Sequence, residues 1–233
     1  MSYIKQNLEL VRAEMAAAAV RAGRDVGEIS LIAVTKTFGP EAVREAWAAG
    51  QQVFGENYIQ EARDKIAAVG PGPIWHFIGH LQTNKAKYAV KLFDMIQTLD
   101  TPSLAQELDK RAGTAGRSLD VLIEVNIALE ATKAGVAATQ VPRLIEAVMA
   151  CPHLNLQGLM TMPPFFDDPE EARPYFAALR RMRDEFIRSG AADSRHLQHL
   201  SMGMSDDYQV AIEEGATIIR VGTAIFGQRS PAS

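Results

Sequence analysis

From residue 31 onward the sequence repeats one alternation, a short apolar run followed by a stretch with helical spacing. The runs are LIAVT (31–35), QQVFGEN (51–57), IWHFIGH (74–80), MIQTLD (95–100), DVLIEVN (120–126), LQGLMTM (156–162), HLSMGMS (199–205) and TIIRVGT (217–223). Most are apolar almost throughout, as strands covered on both faces are. Eight strand–helix repeats predict an α/β chain closed into a (β/α)8 TIM barrel, and 233 residues is near the roughly 250 that such barrels use. A doubly wound open sheet is the alternative, but eight evenly spaced strands favour closure.

The intervening stretches carry helix punctuation. Asn57 is placed to cap a helix, with Gln60 completing a capping box and Gly70 closing it. Thr101 before Pro102 opens another, and Asp168, Pro169 and Glu171 open a third. That third helix has the apolar stripe Tyr175, Leu179, Met182 and Phe186 and stops at Gly190; Gly50 and Gly215 sit where two more should end. Residues 1–23 form an amphipathic helix with Ile4, Leu8, Val11, Met15 and Ala19 on one face. Only AIFGQRSPAS follows the eighth strand, so this N-terminal helix is expected to cover the gap left by a missing closing helix. No linker divides the chain, and 1–233 reads as one domain.

Composition narrows the function. A net charge of −4 and a pI near 5.8 argue against general binding to nucleic acid or to an anionic membrane. The one cysteine, Cys151, excludes an intrachain disulfide and reads as a buried, inert thiol at a helix end. No run approaches the ~20 apolar residues of a membrane span. The N-terminal alanine run is preceded by charges that do not suit a signal peptide, and a cytoplasmic location is expected. His76 and His80, or His196 and His199, lack the carboxylates and spacing of a metal centre, so no metal is expected. Met160, Met162, Met202 and Met204 read as core and pocket wall.

Barrel enzymes and binders work at the C-terminal strand ends. There the first strand runs directly into Lys36. An ammonium partly desolvated at a barrel mouth loses stability in its charged form, and the neutral amine can take a carbonyl as a Schiff base; a surface lysine just past a strand is the plain alternative. After the last two strands come SMGMSDD and RVGTAIFG, where barrels often hold a phosphate on backbone N–H groups. Ser201, Ser205 and Thr223 offer hydroxyls there, and Gly203 and Gly222 allow close approach. Arg220 shares a strand face with Gly222 and either donates to a ring nitrogen or pairs with a neighbouring carboxylate. Together these features point to an aldehyde that carries a phosphate.

The stretches AVTK (33–36), FGENYIQE (54–61), WHFIGHLQTNK (75–85), GLMTM (158–162), SMGMSDD (201–207) and RVGTAIFG (220–227) resemble the pyridoxal phosphate homeostasis proteins, single-domain relatives of the alanine racemase barrel. Thr35 stands where the family commonly has serine, and His80 where it commonly has proline. The resemblance implies a fold-type III barrel that carries pyridoxal 5′-phosphate as an internal aldimine on Lys36. By the same carry-over Ser205, Gly222 and Thr223 hold the phosphate, Arg220 faces the pyridine nitrogen, and Asn57 lies near the Lys36 end of the ring. It also implies a role in vitamin B6 and amino/keto-acid balance, with cofactor passed to transient apo-enzyme partners and little catalysis.

The residues supply a reason for weak catalysis. An arginine at the ring nitrogen keeps its proton, leaving that nitrogen neutral and a poor electron sink. Two-domain racemases borrow a second base from a partner's extra domain, and none is expected here. An amino-acid racemase or another Schiff-base enzyme on the same barrel is the alternative. No apolar stripe is left over for a dimer, which predicts a monomer.

Overall fold

The structure, a computed structural model, describes residues 2–128, 130 and 134–228. Its strands are β1 (Ser30–Val34), β2 (Val53–Glu56), β3 (Ile74–Phe77), β4 (Met95–Leu99), β5 (Leu119–Asn126), β6 (Val136–Ala137), β7 (Leu154–Met160), β8 (His199–Ser201) and β9 (Ile218–Val221). Helices α1 (Tyr3–Arg21), α2 (Pro40–Ala48), α3 (Ile59–Val69), α4 (Ala86–Leu92), α5 (Pro102–Thr114), α6 (Val141–Met149), α7 (Arg173–Arg188), α8 (Tyr208–Glu213) and α9 (Thr223–Phe226) alternate with them.

The strands pair in parallel as β1-β2-β3-β4-β5-β7-β8-β9, and β9 returns to β1 with Ile32 opposite Arg220. The barrel is closed, so the open sheet is excluded. All eight runs seen in the sequence became its staves. The two-residue β6 pairs with β5 alone and lies outside the ring. β8 is only three residues long because Gly203, at φ +94°, turns the chain where the sequence suggested a longer strand.

Most caps fall as read. Thr101 Oγ1 accepts from the Leu104 N–H at the start of α5, and Gly70 closes α3 at φ +85°; Asp168 accepts from the Glu170 N–H but caps a short 3₁₀ turn, Pro169–Ala172, that leads into α7, whose own N-cap is Ala172. Asn57 is the exception. The N-cap of α3 is Tyr58, with no side-chain bond, and the capping box with Gln60 does not form. Asn57 is thereby released for another use.

Helix α1 buries Leu8, Val11, Met15, Ala18 and Ala19 and packs against α2, α8 and α9. Asn7 donates to the Ile225 carbonyl at 2.9 Å, and Arg24 to the carbonyls of Ile212 and Ala216 at 2.8 Å. It therefore covers the side of the barrel that the single-turn α9 leaves bare. Truncating Leu8, which is fully buried, should cost about 2–5 kcal/mol. Among the described residues no helix is long and apolar enough to cross a membrane.

Inside the ring, Ile32, Val34, Ile78, Met95, Leu122, Met160 and Ile218 form the apolar filling. Because side chains on one strand face recur every second residue, Arg220 follows Ile218 inward, Glu124 follows Leu122, and Gln97 follows Met95. These three polar side chains are buried, as is Ser201. The barrel is thus apolar below and polar towards the mouth.

Candidate functional site

The strand ends β1, β2 and β9 and the turn after β8 converge on a cavity of about 190 Å³ lined by Lys36, Asn57, Ser205, Arg220, Gly222 and Thr223. Val34, Ile78, Met162 and Met204 supply its apolar wall, and Asp206 its one acidic contribution. Six of the seven candidate residues read from the sequence thus meet in one place. A larger cleft of about 410 Å³ lies beside it and shares Asn57. Its remaining polar lining, including Arg63, His80 and Lys85, is exposed, whereas the smaller cavity gathers the inward-facing groups of the barrel. We place the site in the smaller one.

Lys36 is half-buried, one residue beyond the fully buried Thr35. Opposite it, Ser205 Oγ accepts from the backbone N–H groups of Gly222 (3.2 Å) and Ala224 (3.3 Å), drawing the turns after β8 and β9 together. A Cβ at Gly203 would meet Ala211 Cβ at 2.6 Å and Tyr208 Cα at 2.9 Å, so only glycine lets this turn close. Asp207 accepts from the Met204 N–H at 2.6 Å and pins the same turn; burial holds its carboxyl above the usual range.

Arg220 is buried. Its guanidinium donates to Ser201 Oγ at 2.6 Å and to the Thr161 carbonyl at 2.9 Å, and among the described residues it forms no ion pair with a carboxylate. Burial pushes it down to about 10, against the pull of Asp207 and Glu124, so it remains cationic at neutral pH. Ser201, the seventh candidate, does not reach the cavity wall. It accepts from Arg220 and donates to Gln97 Oε1 at 2.7 Å, and Gln97 in turn meets His76 Nδ1 at 3.0 Å. Burial, with His199 nearby, pushes His76 down to about 4, so the chain ends on a neutral imidazole.

Two groups escaped the sequence reading. Glu124 is buried inside the barrel with one carboxylate oxygen lacking any hydrogen-bond partner; burial, then Asp100, push it up to about 7 against Arg220. A second cluster surrounds Lys65, whose ammonium is buried against Glu56 (2.5 Å) and Glu61 (3.0 Å). Glu61 and Lys65 are four apart on α3, a spacing that was there to be read. Nothing in it signals that the lysine turns inward.

The closed parallel barrel with its site at the strand mouths is the architecture of the alanine racemase N-terminal domain, and the family model of that description matches residues 4–230. A relative from Aquifex aeolicus is 45% identical over 225 residues, covering 96% of this chain and 97% of its own. Another, from Pseudomonas aeruginosa, is 42% identical over the whole of both chains. Both are pyridoxal phosphate homeostasis proteins. The solved structure of PipY from Synechococcus elongatus PCC7942, with PLP bound, superposes with a TM-score of 0.82 at 36% identity, over 96% of this chain and 100% of that one. This chain belongs to the pyridoxal phosphate homeostasis protein family.

Proposed function

We propose that this chain binds pyridoxal 5′-phosphate in the cavity at the barrel mouth and serves the intracellular balance of that cofactor and of amino and keto acids. The observation that carries the reading is the meeting of Lys36, Arg220 and the Ser205–Gly222–Thr223 turn on one cavity. The residues fit such a ligand. A buried oxygen of Asn57 has no hydrogen-bond partner, and the Gly222 and Ala224 N–H groups converge on Ser205 Oγ at the cavity wall.

In this reading the Lys36 amine would hold the ligand at its aldehyde end. The hydroxyls of Ser205 and Thr223, with the N–H groups of Gly222 and Ala224 that now donate to Ser205, would hold the phosphate, and Asn57 would steady the ring near Lys36. Arg220, fixed by Ser201 and Thr161, would donate to the ring nitrogen while keeping its own proton. The bound cofactor supplies an electrophilic carbon for amines and an electron sink. A donor that stays protonated leaves that sink shallow, which favours holding and handing on the cofactor over turning over substrate. We read the chain as a cytoplasmic monomer that passes cofactor to apo-enzymes by transient contact.

Titration with pyridoxal 5′-phosphate, followed by visible absorption and dialysis, tests this. The wild-type protein should turn yellow and stay yellow, and Lys36→Ala should not. A Lys36→Ala protein that retains colour through dialysis, or a wild type that never takes it up, overturns the assignment. Turnover of L- or D-amino acids above roughly 1 per second would favour the racemase alternative.

A further inference from the structure

The backbone on either side of Lys36 is held in an unusual way. Thr37 has φ +70°, and among the described residues no other non-glycine has a positive φ. A β-branched residue in the left-handed region is strained, and such strain persists only where the surroundings over-determine it. Here the surroundings are charged. The Thr37 N–H donates to Glu61 Oε1 at 2.5 Å, and the Thr35 carbonyl accepts from Lys65 Nζ at 2.6 Å. The same ammonium donates to Glu56 Oε1 and Glu61 Oε1, so all three of its protons are engaged. Thr35 Oγ1 donates to Glu56 Oε1 at 2.5 Å, closing the cluster.

Lys65 is 4% exposed and Glu56 not at all. A buried ion pair is seldom the most stabilising way to fill a core. What it provides here is directional: it grips the peptide groups of Thr35 and Thr37 and leaves the Lys36 side chain between them. Both carboxylates belong to the FGENYIQE stretch, whose role the cofactor cavity does not explain apart from Asn57. Burial raises the Glu56 carboxyl even against Lys65 and Thr35, so the pair is kept at a cost in solvation.

We propose that Lys65, with Glu56 and Glu61, is a positioning clamp that sets the backbone of Lys36 and aims its amine into the cavity. None of the three residues lines that cavity. The clamp should therefore govern the covalent link and leave the phosphate cradle untouched. This inference rests on the reading that Lys36 takes the aldehyde of pyridoxal 5′-phosphate.

Two ligands separate the clamp from the cradle: pyridoxal 5′-phosphate, and pyridoxine 5′-phosphate, which has no aldehyde. Both are titrated calorimetrically into wild type, Glu61→Ala and Glu61→Gln, with circular dichroism as the check of folding. Glu61→Ala should bind the aldehyde roughly tenfold more weakly and take it up more slowly into a borohydride-fixable form. Its affinity for the alcohol should stay within twofold of wild type, and Glu61→Gln, which keeps an acceptor for Thr37, should recover most of the loss. Equal weakening of both ligands, or no change in either, overturns the clamp. Should Glu61→Ala not fold, the double variant Lys65→Met/Glu56→Gln, which leaves no unpaired charge in that pair, is read in the same way. A wild type that binds both ligands equally and fixes neither contradicts the Lys36 reading itself, which is a separate outcome.

Discussion

Replacing Glu124 by glutamine should stabilise the protein, and only at higher pH. The side chain is 2% exposed, and its partnerless oxygen receives no compensating hydrogen bond. Burial is the first cause of its raised proton affinity, Asp100 adds to it, and Arg220 opposes both. Because the folded value is about 7 against an ordinary 4.5, the folded protein binds more protons than the unfolded chain between those limits. Stability from this group is therefore present below about pH 4.5 and is lost as pH rises through 7. The gap, at about 1.4 kcal/mol per tenfold in proton affinity, corresponds to about 3 kcal/mol of penalty at pH 8.5. Glutamine carries no charge at any pH and escapes it. Urea unfolding, extrapolated to water at pH 5 and at pH 8.5, measures the difference. Glu124→Gln should match wild type at pH 5 to within about 1 kcal/mol and exceed it by about 2–3 kcal/mol at pH 8.5. A difference independent of pH, or one that grows towards acid, refutes the reasoning.

Three further outcomes follow from the same geometry. Gly203→Ala forces a side chain into the left-handed region against the backbone of Tyr208, and should lower stability by about 1–3 kcal/mol and weaken phosphate-bearing ligands. Ser205→Ala removes a half-buried acceptor from two N–H groups that water can still reach; thermal unfolding should shift little, about 1 kcal/mol or less, while affinity for pyridoxal 5′-phosphate falls roughly tenfold. The His76 ring, held neutral with a value of about 4, should show flat proton chemical shifts from pH 8 down to pH 5.5; a midpoint near 6.5 contradicts its burial beside Gln97.

The architecture could be read because each stave is long enough in apolar residues and each is followed by helix punctuation. The cavity could be read because Lys36, Arg220, Gly222 and Thr223 stand at strand ends, where the topology leaves few directions to point. Asn57 was placed near the ring by resemblance but also assigned a capping role, which the geometry denies: a residue at a strand end can face inward or cap the next helix, and spacing does not choose. Ser201 was grouped with Ser205, yet they lie on opposite sides of the turn at Gly203, so one hydroxyl holds Arg220 and the other the N–H groups of the next loop. The clamp was hidden for another reason. Lys65 on a helix with acidic neighbours looks like an exposed side chain, and its burial depends on Glu56, nine residues earlier on a different element. Thr35, which stands where the family commonly has serine, belongs to that cluster.

Borohydride reduction of protein loaded with pyridoxal 5′-phosphate, followed by peptide mapping, tests the central claim most directly. One phosphopyridoxyl group should be found, on the peptide bearing Lys36 and on no other lysine in stoichiometric amount. A label fixed instead on Lys65, Lys85 or any other amine, or no label on protein that has taken up the cofactor, would contradict it.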